Sequence, residues 1–137
     1  MNNLNKNIYF HVGISKTGST FLQKRVFPKL SKITYIPTNK YHRVFEEIKN
    51  SDSNKVLVSR EFDRQFEREV TLFSIRHRTA TPIIVLRKHE EYLASQYKRF
   101  IKNGFRGGIE DFFDLKNDEG FFKILHLSFS YQIDVLK

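Results

Sequence analysis

The chain is predicted to fold as an α/β protein in three layers, with a central parallel sheet flanked by helices. Three observations predict it. Short, β-branched apolar runs recur along the 137 residues, each is followed by a stretch of helical periodicity, and glycine, proline or Ser/Asp/Asn clusters stand at the joints. Strands and helices that alternate in this way build a parallel sheet covered on both faces. Ligands of such folds sit beyond the carboxyl ends of the strands.

Ile8 to Val12 reads as the first strand, and a loop bounded by Gly13 and Gly18 leads into a helix over Ser19 to Phe27. That helix is expected to end near Pro28, because the residue before a proline avoids the helical region. Ile33 to Ile36 is a second strand, and His42 to Lys49 a helical stretch. Ser51-Asp52-Ser53-Asn54 is a turn, and Lys55 to Ser59 a third strand. Gln65 to Arg78 is helical, with Phe66, Val70 and Phe73 on one stripe. Thr81 to Arg87, an apolar run bounded by Pro82, reads as a buried fourth strand. From Glu90 to Phe105 helical rows return: Tyr92, Gln96 and Phe100, then Leu93, Tyr97 and Ile101. Asn103-Gly104 and Gly107-Gly108 break the chain before two more helical patterns, Ile109 to Leu115 and Phe121 to Leu136. Residues 1–137 show no repeat, linker or second-domain boundary and suit a single domain.

Composition bounds the function. An apolar content of 39% and fourteen phenylalanines are enough for an aromatic-rich core. Zero cysteine excludes disulfides and thiolate metal sites. The start, Met1-Asn2-Asn3-Leu4-Asn5-Lys6-Asn7, has no apolar signal region, and no run approaches membrane-spanning length, so a cytoplasmic location is expected. The net charge of +9 favours polyanionic partners without choosing among nucleotide, acidic glycan, nucleic acid and anionic lipid.

Residues 8 to 22 carry the clearest chemistry. The order strand, glycine loop, helix gathers backbone N–H groups, the Ser19 and Thr20 hydroxyls and the Lys16 ammonium around one point at a helix start. First-turn N–H groups lack partners and the helix dipole adds positive potential, so the point suits a phosphate-like dianion. A Walker A loop places lysine directly after its second glycine. Gly13, Gly18 and Thr20 fit that spacing, but Ser19 holds the lysine position and Lys16 stands two residues before Gly18. The segment Ser15-Lys16-Thr17-Gly18-Ser19-Thr20-Phe21-Leu22 instead resembles the phosphosulfate-binding loop of sulfotransferases, which use 3′-phosphoadenosine-5′-phosphosulfate (PAPS).

A second stretch, Val85 to Tyr97, resembles the sulfotransferase segment that binds the 3′-phosphate. There the family has an arginine, a serine eight residues later and an aromatic two further on, matched by Arg87, Ser95 and Tyr97. His89 and Tyr92 depart from it, standing where the family usually has a proline and a second arginine. The resemblance spans about residues 8 to 105 and implies a P-loop-like fold, short at its C-terminus beside the usually longer family domains.

It also implies an enzyme that moves a sulfuryl group from PAPS to a hydroxyl or amine acceptor, a glycan among the candidates, leaving adenosine 3′,5′-bisphosphate (PAP). Lys16 is expected to stabilise the leaving oxygen. Thr17, Gly18, Ser19 and Thr20 would bind the phosphosulfate, and Arg87 and Ser95 the 3′-phosphate. No metal is expected, because fixed donors can neutralise the modest charge of a sulfuryl group. Glu61 is the first candidate for a general base, since it follows the third strand and Val58-Ser59-Arg60-Glu61-Phe62 looks like bacterial members of the family. Pairing of Glu61 with Arg60 or Arg64 is the alternative. His42, Glu46 and Glu47 are weaker candidates, His11 reads as a core residue, and His77, His89 and His126 lack ligand spacing.

Two other classes stay open. One is a P-loop kinase or ATPase with a displaced lysine. The other is a non-enzymatic polyanion binder, supported by the charge and by Tyr97-Lys98-Arg99-Phe100, although no nucleic-acid motif is present. The acceptor and the oligomeric state have no readable code.

Overall fold

A computed structural model describes residues 5–62, 65–127 and 129–137. The chain divides into two compact units, residues 1–85 and 86–137.

The first unit holds the whole sheet. Its strands are β1 (Asn7–Gly13), β2 (Thr34–Ile36), β3 (Lys55–Glu61) and β4 (Thr81–Ile83), all parallel and ordered β2-β3-β1-β4. The α/β class and the parallel sheet are as the sequence predicts. Between the strands run α1 (Ser19–Phe21), α2 (Val44–Asn50) and α3 (Phe66–Arg76). The two central strands are apolar almost without alternation, as strands covered on both faces must be. Val12, Val56 and Val58 are wholly buried, and Phe10 is 3% exposed. Helix α3 buries the predicted stripe of Phe66, Val70 and Phe73, and Phe73 meets Phe10 with ring centroids 4.0 Å apart. Each such side chain contributes about 1.5–3 kcal/mol by leaving water.

Helix α1 does not stop at Phe27. It continues as a π turn over Leu22–Val26 and a 3-10 turn over Phe27–Lys29. Pro28 stands in the first positions of that last turn, where proline is best tolerated. The stretch before α2 is likewise a 3-10 helix, Thr38–Arg43.

The fourth strand departs most from expectation. Only Thr81–Ile83 pairs with the sheet, and all three residues are exposed, so a buried strand over Thr81 to Arg87 is overturned. Its place explains this. β4 has β1 as its single neighbour among the described residues, and Pro82 cannot donate to a ladder, which confines proline to sheet edges.

The second unit is helical: α4 (His89–Lys102), α5 (Ile109–Phe112), α6 (Ile124–Leu127) and α7 (Phe129–Leu136). Gly104, at φ 108, closes α4, and the Phe105 N–H reaches back to the Phe100 carbonyl at 2.8 Å. The core is an aromatic cluster around Phe112, which is wholly buried against Tyr97, Phe100, Phe105 and Phe122. This cluster shortens the last predicted helices. Phe121 and Phe122 donate their N–H groups to the carbonyls of Asp111 and Phe112, so helix starts only at Ile124, whose N–H meets Asp118 Oδ1 at 2.9 Å. Asp114 accepts from the N–H groups of Lys116 and Asn117 and turns the chain after α5.

Candidate functional site

β1 ends at Gly13, and the chain turns through Ile14 to Gly18 into α1. Two residues of this loop take the left-handed conformation, Lys16 at φ 66 and Gly18 at φ 82. Glycine does so freely. A lysine pays about 1–2 kcal/mol there, because its Cβ crowds the following carbonyl. Strain of this kind gathers at functional sites.

The loop side chains alternate. Ser15, Thr17 and Ser19 are buried, whereas Lys16, Gly18 and Thr20 are exposed. The Thr17 hydroxyl donates to the Ile14 carbonyl at 2.9 Å and lies 3.3 Å from Ser19 Oγ. Inward hydroxyls therefore brace the loop, while Lys16, Thr20 and the Gly18 backbone form its outer face. Ser19, expected as an anion ligand through its hydroxyl, is 2% exposed and engaged inside. The Phe21 and Leu22 N–H groups both reach the Gly18 carbonyl, at 3.1 and 3.4 Å, so the helix opens at Ser19.

β3 runs two residues beyond the predicted Ser59, which makes Glu61 its last residue and the in-register partner of Gly13. The Phe62 N–H extends the contact by donating to the Gly13 carbonyl at 2.8 Å. A methyl group on Gly13 would stand 2.8 Å from Glu61 Cγ and 3.3 Å from Ser19 Oγ. The bare Cα of Gly13 is thus what lets the Ser19 and Glu61 side chains pack against it.

Two residues earlier, His11 is wholly buried with its Nδ1 2.8 Å from Ser59 Oγ. The Gln23 amide donates to Ser59 Oγ at 2.9 Å and to Thr38 Oγ1 at 3.3 Å, and the Thr38 hydroxyl donates to the Ser59 carbonyl at 3.1 Å. Burial lowers the His11 pKa and holds the ring neutral. This network joins β1, β3, the first helix and the Thr38–Arg43 turn. Its members are ordinary polar residues far apart in sequence, so nothing in their spacing announces them.

Other sequence candidates have other surroundings. Glu47 pairs with Arg43 at 3.2 Å and Lys40 at 3.8 Å, and His42 and Glu46 are exposed. The Arg60 guanidinium lies over the rings of Tyr41 and Phe62, 5.4 and 5.7 Å from their centroids. Burial first, then the charge of Glu69, pushes the Tyr41 pKa up to about 12 against the opposing pull of Arg60. Arg64, the other suggested partner of Glu61, lies outside the described residues.

The second unit carries the other motif. Arg87 is exposed, with Nε 3.5 Å from Glu91 Oε2 one turn along. Ser95 is half-buried on α4. Tyr97 is half-buried, its hydroxyl donating to the Gly107 carbonyl at 3.0 Å and its ring packed on Phe112.

Known protein families, curated proteins and solved structures were all compared with this chain. None matches. Among the described residues no group of three or more His, Asp or Glu could hold a metal ion, and no helix is long and apolar enough to cross a membrane.

The loop's outer face combines a cationic side chain, a hydroxyl and the free end of a helix, groups that attract an anion. At the neighbouring strand end stands Glu61, half-buried.

Proposed function

We propose that this chain binds PAPS and transfers its sulfuryl group to a hydroxyl or amine acceptor, a glycan being one candidate. The observation that carries the proposal is Lys16, an exposed lysine held in the left-handed conformation two residues before Gly18, in a loop whose Ser15, Thr17 and Ser19 are buried. A lysine after Gly18 would suit phosphoryl transfer from ATP. One before it suits the phosphosulfate loop that the segment resembles.

The acceptor oxygen or nitrogen attacks sulfur, and the bond from sulfur to the bridging phosphate oxygen breaks. That oxygen leaves with the electron pair on PAP, stabilised by Lys16. The acceptor's proton passes to the Glu61 carboxylate, general-base help that is typically worth about 10²–10⁴-fold. Thr17 to Thr20 hold the phosphosulfate, chiefly through backbone N–H groups and the exposed Thr20 hydroxyl. Ser19 braces the loop from inside. Arg87 and Ser95, in the second unit, are the residues that the resemblance of Val85 to Tyr97 assigns to the 3′-phosphate, the group that separates PAPS from ATP, and arginine suits it through its two-pronged fork.

The test is a titration of the chain with PAP and with ATP, without magnesium, on wild type and on Arg87→Ala. PAP-selective binding that collapses in Arg87→Ala supports the proposal. Equal binding of the two nucleotides, or ATP binding that requires magnesium, favours a phosphoryl-transfer enzyme instead.

A further inference from the structure

We infer that the first unit carries a second ligand site at the amino-terminal edge of its sheet, a basic cavity that takes an organic phosphate or sulfate monoester with an apolar body. The cavity encloses about 600 Å³, a size that suits a small ligand. It lies where β1 begins and where α2 and α3 end, with Lys6, Ile48 and Arg76 among its walls. The Lys16 loop lies at the far end of β1, roughly 20 Å away at about 3.3 Å per strand residue.

Its charge is one-sided. Lys6, Lys49, Arg76 and Arg78 line it, and none of its described lining residues is acidic. Cations are ordinary at helix C-termini, where the dipole amounts to roughly −0.5 charge per helix. The ends of α2 and α3 together account for about one positive charge, and the cavity has four. Lys6 meets the helix end directly, donating to the carbonyls of Ile48 and Ser51 at 2.6 Å each. Arg76 lies over the Phe45 ring, which leaves Lys49 and Arg78, both exposed and with no ion pair or side-chain hydrogen bond among the described residues, to meet an anionic headgroup.

The rest of the lining is apolar or flat. Phe45 stacks on His77 with centroids 5.6 Å apart, and the Arg76 guanidinium covers Phe45 at 4.5 Å. Ile75, 63% exposed, stands at the rim. These groups offer an apolar body a surface that inorganic phosphate cannot use.

NMR titration of the ¹⁵N-labelled chain with phenyl phosphate, phenyl sulfate and inorganic phosphate, at fixed ionic strength, tests the site. At least one ester is expected to bind ten times more tightly than inorganic phosphate, with shifts centred on Lys49 and His77 to Thr79. The tighter ester identifies the headgroup. Lys49→Gln/Arg78→Gln should weaken that binding at least tenfold, and Arg78→Gln alone serves if the double variant loses its folded spectrum. Lys16→Ala should leave it unchanged, which separates this site from the proposed PAPS loop. Shifts confined to Ser15 to Thr20, equal binding of inorganic phosphate, or undiminished binding in the glutamine variants would overturn the inference.

Discussion

Gly13 and Glu61 face each other at the carboxyl ends of β1 and β3, so close that the glycine has no room for a methyl group: its Cβ would fall 2.8 Å from Glu61 Cγ. The strand end that opens the Lys16 loop and the proposed base are therefore one packing unit. Gly13→Ala should cost about 1–3 kcal/mol, the usual price of overpacking. Glu61→Ala removes the obstructing Cγ, so the double variant should lose clearly less stability than the two single losses added together. Urea unfolding of all four proteins measures the coupling, and strict additivity would show that the two residues do not press on each other.

Lys16 permits a cleaner comparison. Alanine and glycine both remove its ammonium, but only alanine keeps a Cβ at φ 66. Lys16→Gly should be more stable than Lys16→Ala by about 1 kcal/mol, because left-handed strain outweighs the extra chain freedom of glycine. Both should reduce the proposed sulfuryl transfer by roughly 10²–10³-fold, the scale of losing one preorganised charge-stabilising group. Thermal melts and a PAPS turnover assay read the two effects separately. Equal melting of the variants would mean that the loop carries no strain at this position.

Arg87 makes an exposed ion pair with Glu91, a kind of contact worth at most a few tenths of a kcal/mol. Loss of that pair alone should shift the unfolding midpoint very little. Arg87→Ala should weaken PAP binding by about ten- to a hundredfold, the equivalent of one charge-assisted hydrogen bond. A variant that unfolds early yet binds PAP normally would assign Arg87 a structural role.

His11 gives the fold a pH dependence of definite sign. Burial lowers its pKa below the usual 6.5, so at mildly acidic pH the unfolded chain takes up a proton that the folded chain refuses. The stabilising contribution is complete above about 6.5 and is lost as the pH falls from there toward the folded-state pKa. His77, lowered by burial and then by Arg76, adds a smaller term of the same sign because it is partly exposed. His11→Asn should flatten the change in urea midpoint between pH 7.5 and 5. An undiminished slope would place the titration elsewhere.

The sheet was legible because β-branched runs such as Lys55 to Ser59 have no other stable home in a chain of this size. The Lys16 loop was legible because its glycines, lysine and hydroxyls are local in sequence. What long-range packing decides was not. Ile83 to Leu86 reads the same at a sheet centre and at a sheet edge, and only the strand order reveals that β4 has a single neighbour. Phe121 and Phe122 keep helical spacing, yet backbone bonds to residues ten positions earlier hold them in a bend. The inward turn of Ser19, the His11–Ser59 network and the contact between Gly13 and Glu61 are likewise set by partners that sequence spacing does not name.

Pro82 has a meaning for the molecule in company. An open strand edge is a template on which identical chains can add, and its attraction lies in the row of N–H groups it presents. The middle residue of β4 has none to offer. A second copy arriving at this edge meets a ladder interrupted at Pro82, beside the exposed side chain of Ile83.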